Sequence, residues 1–335
     1  MTGKLRAAVI GCGHMGKHHA RIYSQLPQVE LAALVDANTD RAAELAKSYP
    51  APVVADVGQV LDKIDIASVA VPTVHHLAVA SQLIAAGKAV LIEKPLAPDS
   101  DQGRQILDLA KKHNVVVQVG HTERFNPVVR AMRRLEIHPR FIETHRISPF
   151  TFRSADIGVV LDMMIHDIDI VLSLMGRKPS AVDAVGVAVL GTPEDIANAR
   201  LTFPNGCVAN LTASRLALKT ERKIRVFSEQ AYLSLDYQKK TGIAIKKDAN
   251  ADILQLAKEK KIEDLAQLAG FDYSKLVKVE PLLITDAEPL RAELEAFVTA
   301  VLNHTEPEVT AEAGFAAVET AERIVQSIRE HNWKV

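Results

Sequence analysis

The chain has 335 residues, of which 48% are hydrophobic and 24% are charged, and its formal net charge is -1 at pH 7. Two domains are expected, because domains commonly contain about 100–200 residues. The balanced charge argues against nucleic acid as a partner, since such binding needs a basic surface. The composition excludes a disordered or collagen-like chain. No apolar stretch reaches the roughly 20 residues that a membrane helix requires, so no membrane partner is expected.

The cysteines and the N-terminal segment indicate the compartment. Cys12 and Cys207 are too few and too far apart for a disulfide framework, which favours a reducing environment. The first apolar run is short and ends in glycines, so it predicts a strand rather than a signal peptide. A cytoplasmic protein is therefore expected.

Short apolar runs alternate with segments of helical period from Lys4 to about Gly120. The runs are continuously hydrophobic, as is typical of a parallel sheet covered on both faces. This alternation predicts a doubly wound α/β domain of the Rossmann type over residues 1–123. The predicted strands are 5–10, 30–36, 51–56, 66–71, 88–93 and 114–120.

The pattern changes after residue 123. Helices are predicted at 125–137 and 154–176, and the turn PNG at 204–206 indicates a hairpin. Together these elements predict an α+β domain over 124–335 with a large, mostly antiparallel, open sheet. Its predicted strands are 182–190, 197–203, 207–216, 222–228 and 231–237, and its further helical segments are 246–280, 288–303 and 311–331.

The motif GCGHMG follows the first predicted strand and precedes a helix. Glycines there allow a tight turn close to a pyrophosphate, and the helix N-terminus favours its charge, although such a turn is sometimes purely structural. Asp36 ends the second strand, where a carboxylate accepts hydrogen bonds from a ribose and repels a 2′-phosphate. NAD is therefore predicted as the cofactor in preference to NADP. The cofactor residues predicted in this loop are Gly11, Gly13, His14, Met15 and Gly16.

Glu93, Lys94 and Pro95 lie at the carboxyl end of a predicted core strand. Ligands of open α/β sheets bind outside these ends, so Lys94 is expected to point into the cofactor crevice. A lysine there donates to a developing alkoxide. The alternative interpretation is an ordinary surface lysine.

Four polar side chains of the predicted helix 154–176 recur at helical spacing: Asp162, His166, Asp169 and Ser173. A carboxylate one turn from an imidazole orients it as a general base, which gives Asp162 and His166 a catalytic interpretation. The alternative is a buried structural network. A zinc site is disfavoured because no other ligand cluster accompanies these residues, and no metal is expected.

Several basic and amide side chains are expected around the same cleft. Guanidinium groups clasp phosphates, so this set predicts binding of a phosphorylated substrate, although most arginines only solvate a surface. The candidate substrate residues are Arg124, Asn126, Arg146 and Arg153, together with Asp162 and His166.

Four segments together resemble the Gfo/Idh/MocA family of NAD(P)-dependent oxidoreductases. They are GCGHMG and the segments 69–97, 156–170 and 288–302, so the resemblance extends over essentially the whole chain. It implies a Rossmann domain followed by an α/β domain whose open sheet serves as an oligomer interface. A homodimer or homotetramer is accordingly expected.

The resemblance also implies roles for individual residues. Lys94 matches the lysine of the family's EKP motif, beside Glu93, and Asp162 and His166 match the family's aspartate and histidine four residues apart. Pro72 and His76 match a turn and a following histidine on the cofactor side. Many members have glycine two residues after the aspartate, whereas this chain has Met164.

The implied reaction is hydride transfer from a secondary hydroxyl of a sugar to NAD. The segments GHTERFNP and LDMMIHDIDI are similar to the subgroup that oxidises C3 of UDP-N-acetylglucosamine, which makes a nucleotide sugar the expected substrate. Three alternatives stay open: a dehydrogenase of another sugar or cyclitol such as inositol, an NAD-dependent glycosidase, and a regulator that binds the dinucleotide without turnover.

Overall fold

The first sheet has six parallel strands in the spatial order β3-β2-β1-β4-β5-β6. The computed structural model describes residues 3–135, 137–151, 157–191, 193–247, 277–282, 284 and 286–331. The strand order reverses beside β1, and ligands of such sheets bind at this reversal. The strands are β1 (Leu5–Ile10), β2 (Val29–Val35), β3 (Val53–Val54), β4 (Ile66–Val69), β5 (Ala89–Glu93) and β6 (Val117–Gly120).

Four helices connect these strands, and side chains define where two of them start. Asn38 accepts a hydrogen bond from the backbone N–H of Arg41 at the start of the second helix. Asp99 accepts one from Gln102 at the start of the fourth, a pattern expected of helix N-caps. The helices are α1 (His14–Gln25), α2 (Thr39–Ser48), α3 (His76–Ala85) and α4 (Ser100–His113). The predicted Rossmann-type architecture is confirmed.

The second sheet has eight strands in the order β14-β13-β12-β11-β7-β10-β9-β8. Every neighbouring pair among these strands is antiparallel except β7 with β10. The predicted mostly antiparallel sheet is therefore confirmed. The strands are β7 (Phe141–Ile147), β8 (Ala181–Val187), β9 (Ile196–Thr202), β10 (Val208–Ser214), β11 (Glu221–Phe227), β12 (Ala231–Asp236), β13 (Thr241–Lys247) and β14 (Val277–Pro281).

Three strands of the second domain, β7, β13 and β14, were absent from the sequence prediction. Strand β7 was not predicted, because its alternating residues include the charged and polar members of FIETHRI. Strand β14 lies at the end of the segment 246–280, for which helix was predicted from the helical spacing of its charged residues. The sequence VKVEP alternates with the period of a strand. The rest of that segment, residues 248–276, lies outside the described residues.

The predicted helix 154–176 is divided in the structure. It opens with a π-helical turn at Val160–Met164 and continues as α6, Ile165–Met175, which ends at Gly176 with a φ of +61°. Residues 152–156, at its predicted start, lie outside the described residues. The other predicted helix, 125–137, is shorter than expected. It is α5, Pro127–Arg133, and a 3₁₀ turn at Thr122–Phe125 precedes it.

The two C-terminal helices, α7 (Pro289–Asn303) and α8 (Ala311–Glu330), agree with the predicted segments. Helix α7 returns to the first domain. Its buried residues Leu294, Phe297 and Val298 share a hydrophobic core with β1, β2 and α1. The predicted domain boundary between residues 123 and 124 stays a prediction. Helix α7, although it lies near the C-terminal end of the chain, packs against the first sheet. None of the described helices combines the length and apolar character needed to cross a membrane.

We expect Phe297→Ala to lower the free energy of unfolding by about 3–5 kcal/mol, because it leaves a cavity in the core of the first domain. Leu302→Ala, at a position 41% exposed on the same helix, is the matched control and should change stability little. Urea denaturation followed by circular dichroism measures both. Equal effects of the two substitutions would contradict the packing of α7 into this core.

Candidate active site

A cleft of about 1160 Å³ lies at the carboxyl ends of the first-sheet strands and extends to the second domain. The glycine loop and Asp36 line one end of it. Lys94, His166 and Arg222 line the other. The cleft therefore lies where the strand order of the first sheet predicts a ligand site.

The glycine loop has the backbone geometry that a pyrophosphate site requires. Gly11 has a φ of +90°, and a Cβ on Gly16 would lie 1.8 Å from the carbonyl oxygen of Gly11. Neither position accommodates another residue. Gly13 ends the loop, and no side chain caps the first turn of α1, a helix start that suits an anion. His14 and Met15 line the cleft beside it.

The carboxylate of Asp36 connects the end of β2 to the glycine loop. Its Oδ2 accepts a hydrogen bond of 2.9 Å from the backbone N–H of Cys12, and its Oδ1 accepts one of 2.8 Å from Asn38. Arg41 lies 3.6 Å from Oδ2 and also lines the cleft. Each carboxylate oxygen has a further lone pair, so Asp36 can still accept from a ribose hydroxyl.

Lys94 connects the two domains across the cleft. Its Nζ donates to the backbone carbonyl of Asp162 at 2.6 Å and lies 3.3 Å from the carboxylate oxygen Oδ1 of the same residue. The lysine side chain is 21% exposed, so it is held within the cleft rather than solvated at the surface. The surface alternative for Lys94 is therefore not what the structure has.

Asp162 and His166 both line this end of the cleft, but the carboxylate bonds Lys94 and not the imidazole. The sequence suggested that Asp162 orients His166 directly. In the described structure no hydrogen bond joins the Asp162 carboxylate to the His166 ring. Asp162 lies within the π-helical turn at Val160–Met164. Hydrogen bonds in such a turn join residues five apart, so a residue four positions on is not stacked directly above.

His166 is in the state of a neutral base. Burial lowers its pKa well below the usual value, and the neighbouring charges of Lys94 and Arg146 lower it further. Its Nδ1 is buried, while the ring lines the cleft. A neutral imidazole at pH 7 can accept a proton from a substrate hydroxyl.

Comparison with known proteins assigns this arrangement to a family. The NAD-binding Rossmann domain of the Gfo/Idh/MocA oxidoreductases matches residues 5–121, and the C-terminal α/β domain of the same family matches residues 144–335. The chain belongs to the Gfo/Idh/MocA oxidoreductase family. The resemblance drawn from its sequence is thereby confirmed, as is its classification as an NAD(P)-dependent dehydrogenase.

Individual members of the family are similar over most of their length. UDP-N-acetylglucosamine 3-dehydrogenase of Acidithiobacillus ferrooxidans is 39% identical over 238 residues, which cover 71% of this chain and 75% of that protein. Its solved structure superposes with a TM-score of 0.86 at 32% identity, covering 97% of each chain. Levoglucosan dehydrogenase in complex with NADH and levoglucosan, at 19% identity, superposes with a TM-score of 0.82 over 98% of each chain and shares the fold.

Glu93, from the EKP motif, lines the cleft beside Lys94, and a hydrogen bond to the buried His19 holds its carboxylate. Its Oε1 is 2.8 Å from Nε2 of His19, and Nδ1 of His19 is 2.9 Å from the hydroxyl of Ser68. His19 was missed in the sequence, because nothing near it in the chain marks a partner 74 residues away. The carboxylate therefore keeps one orientation toward the cleft.

Pro72 lines the cleft, whereas His76 lies behind its wall. The His76 ring nitrogens are 3.1 Å from the carbonyl oxygen of Val71 and 3.0 Å from that of Pro95. At 1% exposure, His76 connects the loops after β4 and β5 instead of contacting a cofactor directly. In this part of the chain the neighbouring His75, and not His76, lines the cleft.

The candidate substrate residues of the second domain are mostly engaged elsewhere. Arg124 donates two hydrogen bonds to Asp169, at 2.6 and 2.8 Å, and Arg146 donates two to Asp167, both at 2.9 Å. All four side chains are buried, and a buried guanidinium needs such a partner. Neither arginine presents its donors to the cleft, so the geometry does not support the substrate role predicted for them.

Asn126 is also structural in its contacts. Its side chain accepts from the backbone N–H of Val128 at the start of α5 and donates to the carbonyl of Tyr237. Arg153 lies outside the described residues. Arg222 of β11 lines the cleft instead, and sequence analysis missed it because its strand carries several similar charged residues. In the described part of the chain no cluster of three His, Cys, Asp or Glu residues is arranged to hold a metal ion.

We expect Arg124→Met to destabilise the protein by about 3–5 kcal/mol, because Asp169 then stays buried without its cation. The double variant Arg124→Met/Asp169→Leu removes both charges and should recover most of that loss. Urea unfolding measures the two variants against the parent protein. If the Arg124→Met variant is as stable as the parent protein but has a raised KM for its sugar substrate, Arg124 contacts the substrate instead.

Proposed function

We propose that the protein is an NAD-dependent dehydrogenase that oxidises the C3 hydroxyl of a UDP-N-acetylhexosamine such as UDP-N-acetylglucosamine. The observation that carries this proposal is the convergence of Lys94, Asp162 and the neutral base His166 at one end of the cleft. The similarity to the Acidithiobacillus ferrooxidans enzyme supports the choice of sugar.

Each of the three side chains has a chemical task in this proposal. His166 accepts the proton of the substrate hydroxyl, and the Lys94 ammonium stabilises the developing alkoxide. Asp162 holds that ammonium in place through its carbonyl and carboxylate oxygens. The glycine loop and Asp36 would hold NAD, which when bound would supply the hydride acceptor for this oxidation.

The residues of the first domain favour NAD over NADP. The loop Gly11–Gly16 turns tightly, and no side chain fits at Gly11 or Gly16, so a pyrophosphate can approach its backbone closely. Asp36 places a negative charge at the end of β2, where it accepts from ribose hydroxyls and repels a 2′-phosphate. Arg41, beside it, is the residue to which a 2′-phosphate would bind.

Arg222 supports a nucleotide sugar in particular. Its side chain is 47% exposed, and its contact with Glu123 is long, at 3.5 Å, so the guanidinium keeps donors for a ligand. It lies at the same end of the cleft as His166. A guanidinium at this position fits the diphosphate that such a substrate carries.

We further infer a homodimer or homotetramer in the cytoplasm that associates through the second sheet. Both cysteines are free and buried, which fits a reducing compartment. Apolar side chains near one edge of the sheet are exposed, a feature of association surfaces. They are Val187, Val189, Leu190, Ile196, Leu216 and Leu218.

The experiment that tests this function is an assay with UDP-N-acetylglucosamine and either NAD or NADP, followed by NADH absorbance. We expect turnover with NAD, and a fall of at least about 10²–10⁴-fold in kcat for Lys94→Met and for His166→Asn. NAD affinity should survive in both variants. The control is Lys47→Met, at an exposed lysine of α2.

Four outcomes of this assay would contradict the proposal. Turnover of inositol but not of the nucleotide sugar would assign a cyclitol dehydrogenase. Sugar release without net NADH would indicate a glycosidase. NAD binding without any turnover would indicate a regulator, and near-normal turnover in both variants would reject the catalytic residues.

We expect Arg222→Met to raise the KM for UDP-N-acetylglucosamine by about 10–100-fold, because a hydrogen bond to a charged group contributes about 1.5–3 kcal/mol. Isothermal titration with UDP measures the same loss without turnover. Arg225→Met is the matched control, since residues three apart on one strand lie on opposite faces of the sheet. Equal affinity of UDP for both variants would rule out this phosphate contact.

A further inference from the structure

Two imidazoles meet behind the substrate end of the cleft. His121 follows β6 and is fully buried, whereas His166 lies in the first turn of α6 and lines the cleft. The two rings are perpendicular, at 88°, with their centroids 6.4 Å apart. His121 therefore forms part of the wall against which the candidate base rests.

Three ring nitrogens of this histidine pair lack a hydrogen-bond partner among the described residues. Nδ1 and Nε2 of His121 and Nδ1 of His166 are all buried, and none has a hydrogen bond to any described residue. Leaving a buried polar group unbonded is destabilising, and buried polar groups in folded proteins are nearly always satisfied. Three such atoms on two neighbouring rings point to a polar molecule that both rings bind.

Both rings are neutral near pH 7. Burial lowers the pKa of His121, and Arg124 and Lys94 lower it further, against an opposing effect of Asp169 from α6 and Glu93 from β5. The pKa of His166 is lowered by burial and by cations from three further elements, Lys94, Arg146 and Arg222. Each neutral ring therefore carries one N–H donor and one acceptor nitrogen.

The tautomer of His166 decides whether it can act as a base. A proton on Nδ1 leaves the lone pair of Nε2 for the cleft, whereas a proton on Nε2 blocks it. The hydrogen bond at one ring nitrogen sets which nitrogen is protonated. Asp162 does not make that bond, because it is engaged with Lys94.

We propose that His121 is a positioning residue, which holds an ordered water molecule that accepts a hydrogen bond from Nδ1–H of His166 and so fixes the base with Nε2 unprotonated. The water donates in turn to a nitrogen of His121. Two hydrogen bonds of about 2.8 Å bridge nitrogens up to roughly 5.6 Å apart, which is less than the 6.4 Å between the ring centroids, so the water requires nitrogens on the near sides of the two rings. The inference rests on the proposed function only in the use made of His166.

The test reads the tautomer directly, without substrate or cofactor. Full-length protein labelled with ¹⁵N-histidine is studied by long-range ¹H–¹⁵N correlation, and the His166 signals are identified by their loss in His166→Asn. We expect the Nδ1–H tautomer in the parent protein and a loss of that preference in His121→Phe. The exposed His138→Phe is the control and should leave the His166 signals unchanged.

Two results would overturn the inference: an Nε2–H tautomer of His166 in the parent protein, or an unchanged tautomer in His121→Phe. If His121→Phe does not fold, the parent spectrum and His121→Gln decide, because an amide still binds water and should preserve the tautomer. In the NADH assay, kcat of His121→Phe should fall by about 10-fold or more, with the KM for NAD unchanged. The tautomer result stands whichever sugar is the substrate.

Discussion

The contact between Lys94 and the π-helical turn at Asp162 is the interaction on which the site depends. The lysine ends a strand of the first sheet, and the turn belongs to the second domain, so a single ammonium group connects the two walls of the cleft. The same charge helps to lower the pKa of His166. Lys94 therefore bridges the two walls of the cleft and adds to the effect of burial on the pKa of the neighbouring base.

Two buried ion pairs hold the helix that carries His166. Arg146 of β7 binds Asp167, and Arg124 of the 3₁₀ turn after β6 binds Asp169, each through two hydrogen bonds. Such pairs add little net stability compared with apolar packing, but breaking one leaves an unpaired buried charge. They fix the position of α6, because they attach it to strand β7 and to the 3₁₀ turn after β6, and so leave His166 few alternative positions.

The sequence predicted what depends on local pattern and missed what depends on long-range partners. Continuous apolar runs and the loop at Gly11 indicated the first domain, because parallel strands and pyrophosphate turns have strong local signatures. The ion pair of Arg124 was not predictable, since its carboxylate is 45 residues away. The π-helical turn was missed for a related reason. The residue types at 160–164 fit an ordinary α-helix, and only tertiary packing determines that the turn contains one additional residue.

The charges around the site favour removal of a proton from a substrate hydroxyl over binding of an anion by the free enzyme. Burial lowers the pKa of His166 most, and the charge of Lys94 lowers it further, so the imidazole stays available as a proton acceptor while the substrate is neutral. In the proposed reaction the hydroxyl proton moves to His166 and leaves a negative oxygen between two cations, whose mutual repulsion is offset by attraction to that oxygen. The arrangement thus stabilises the charge-separated state more than the initial one, which is the differential binding that catalysis requires.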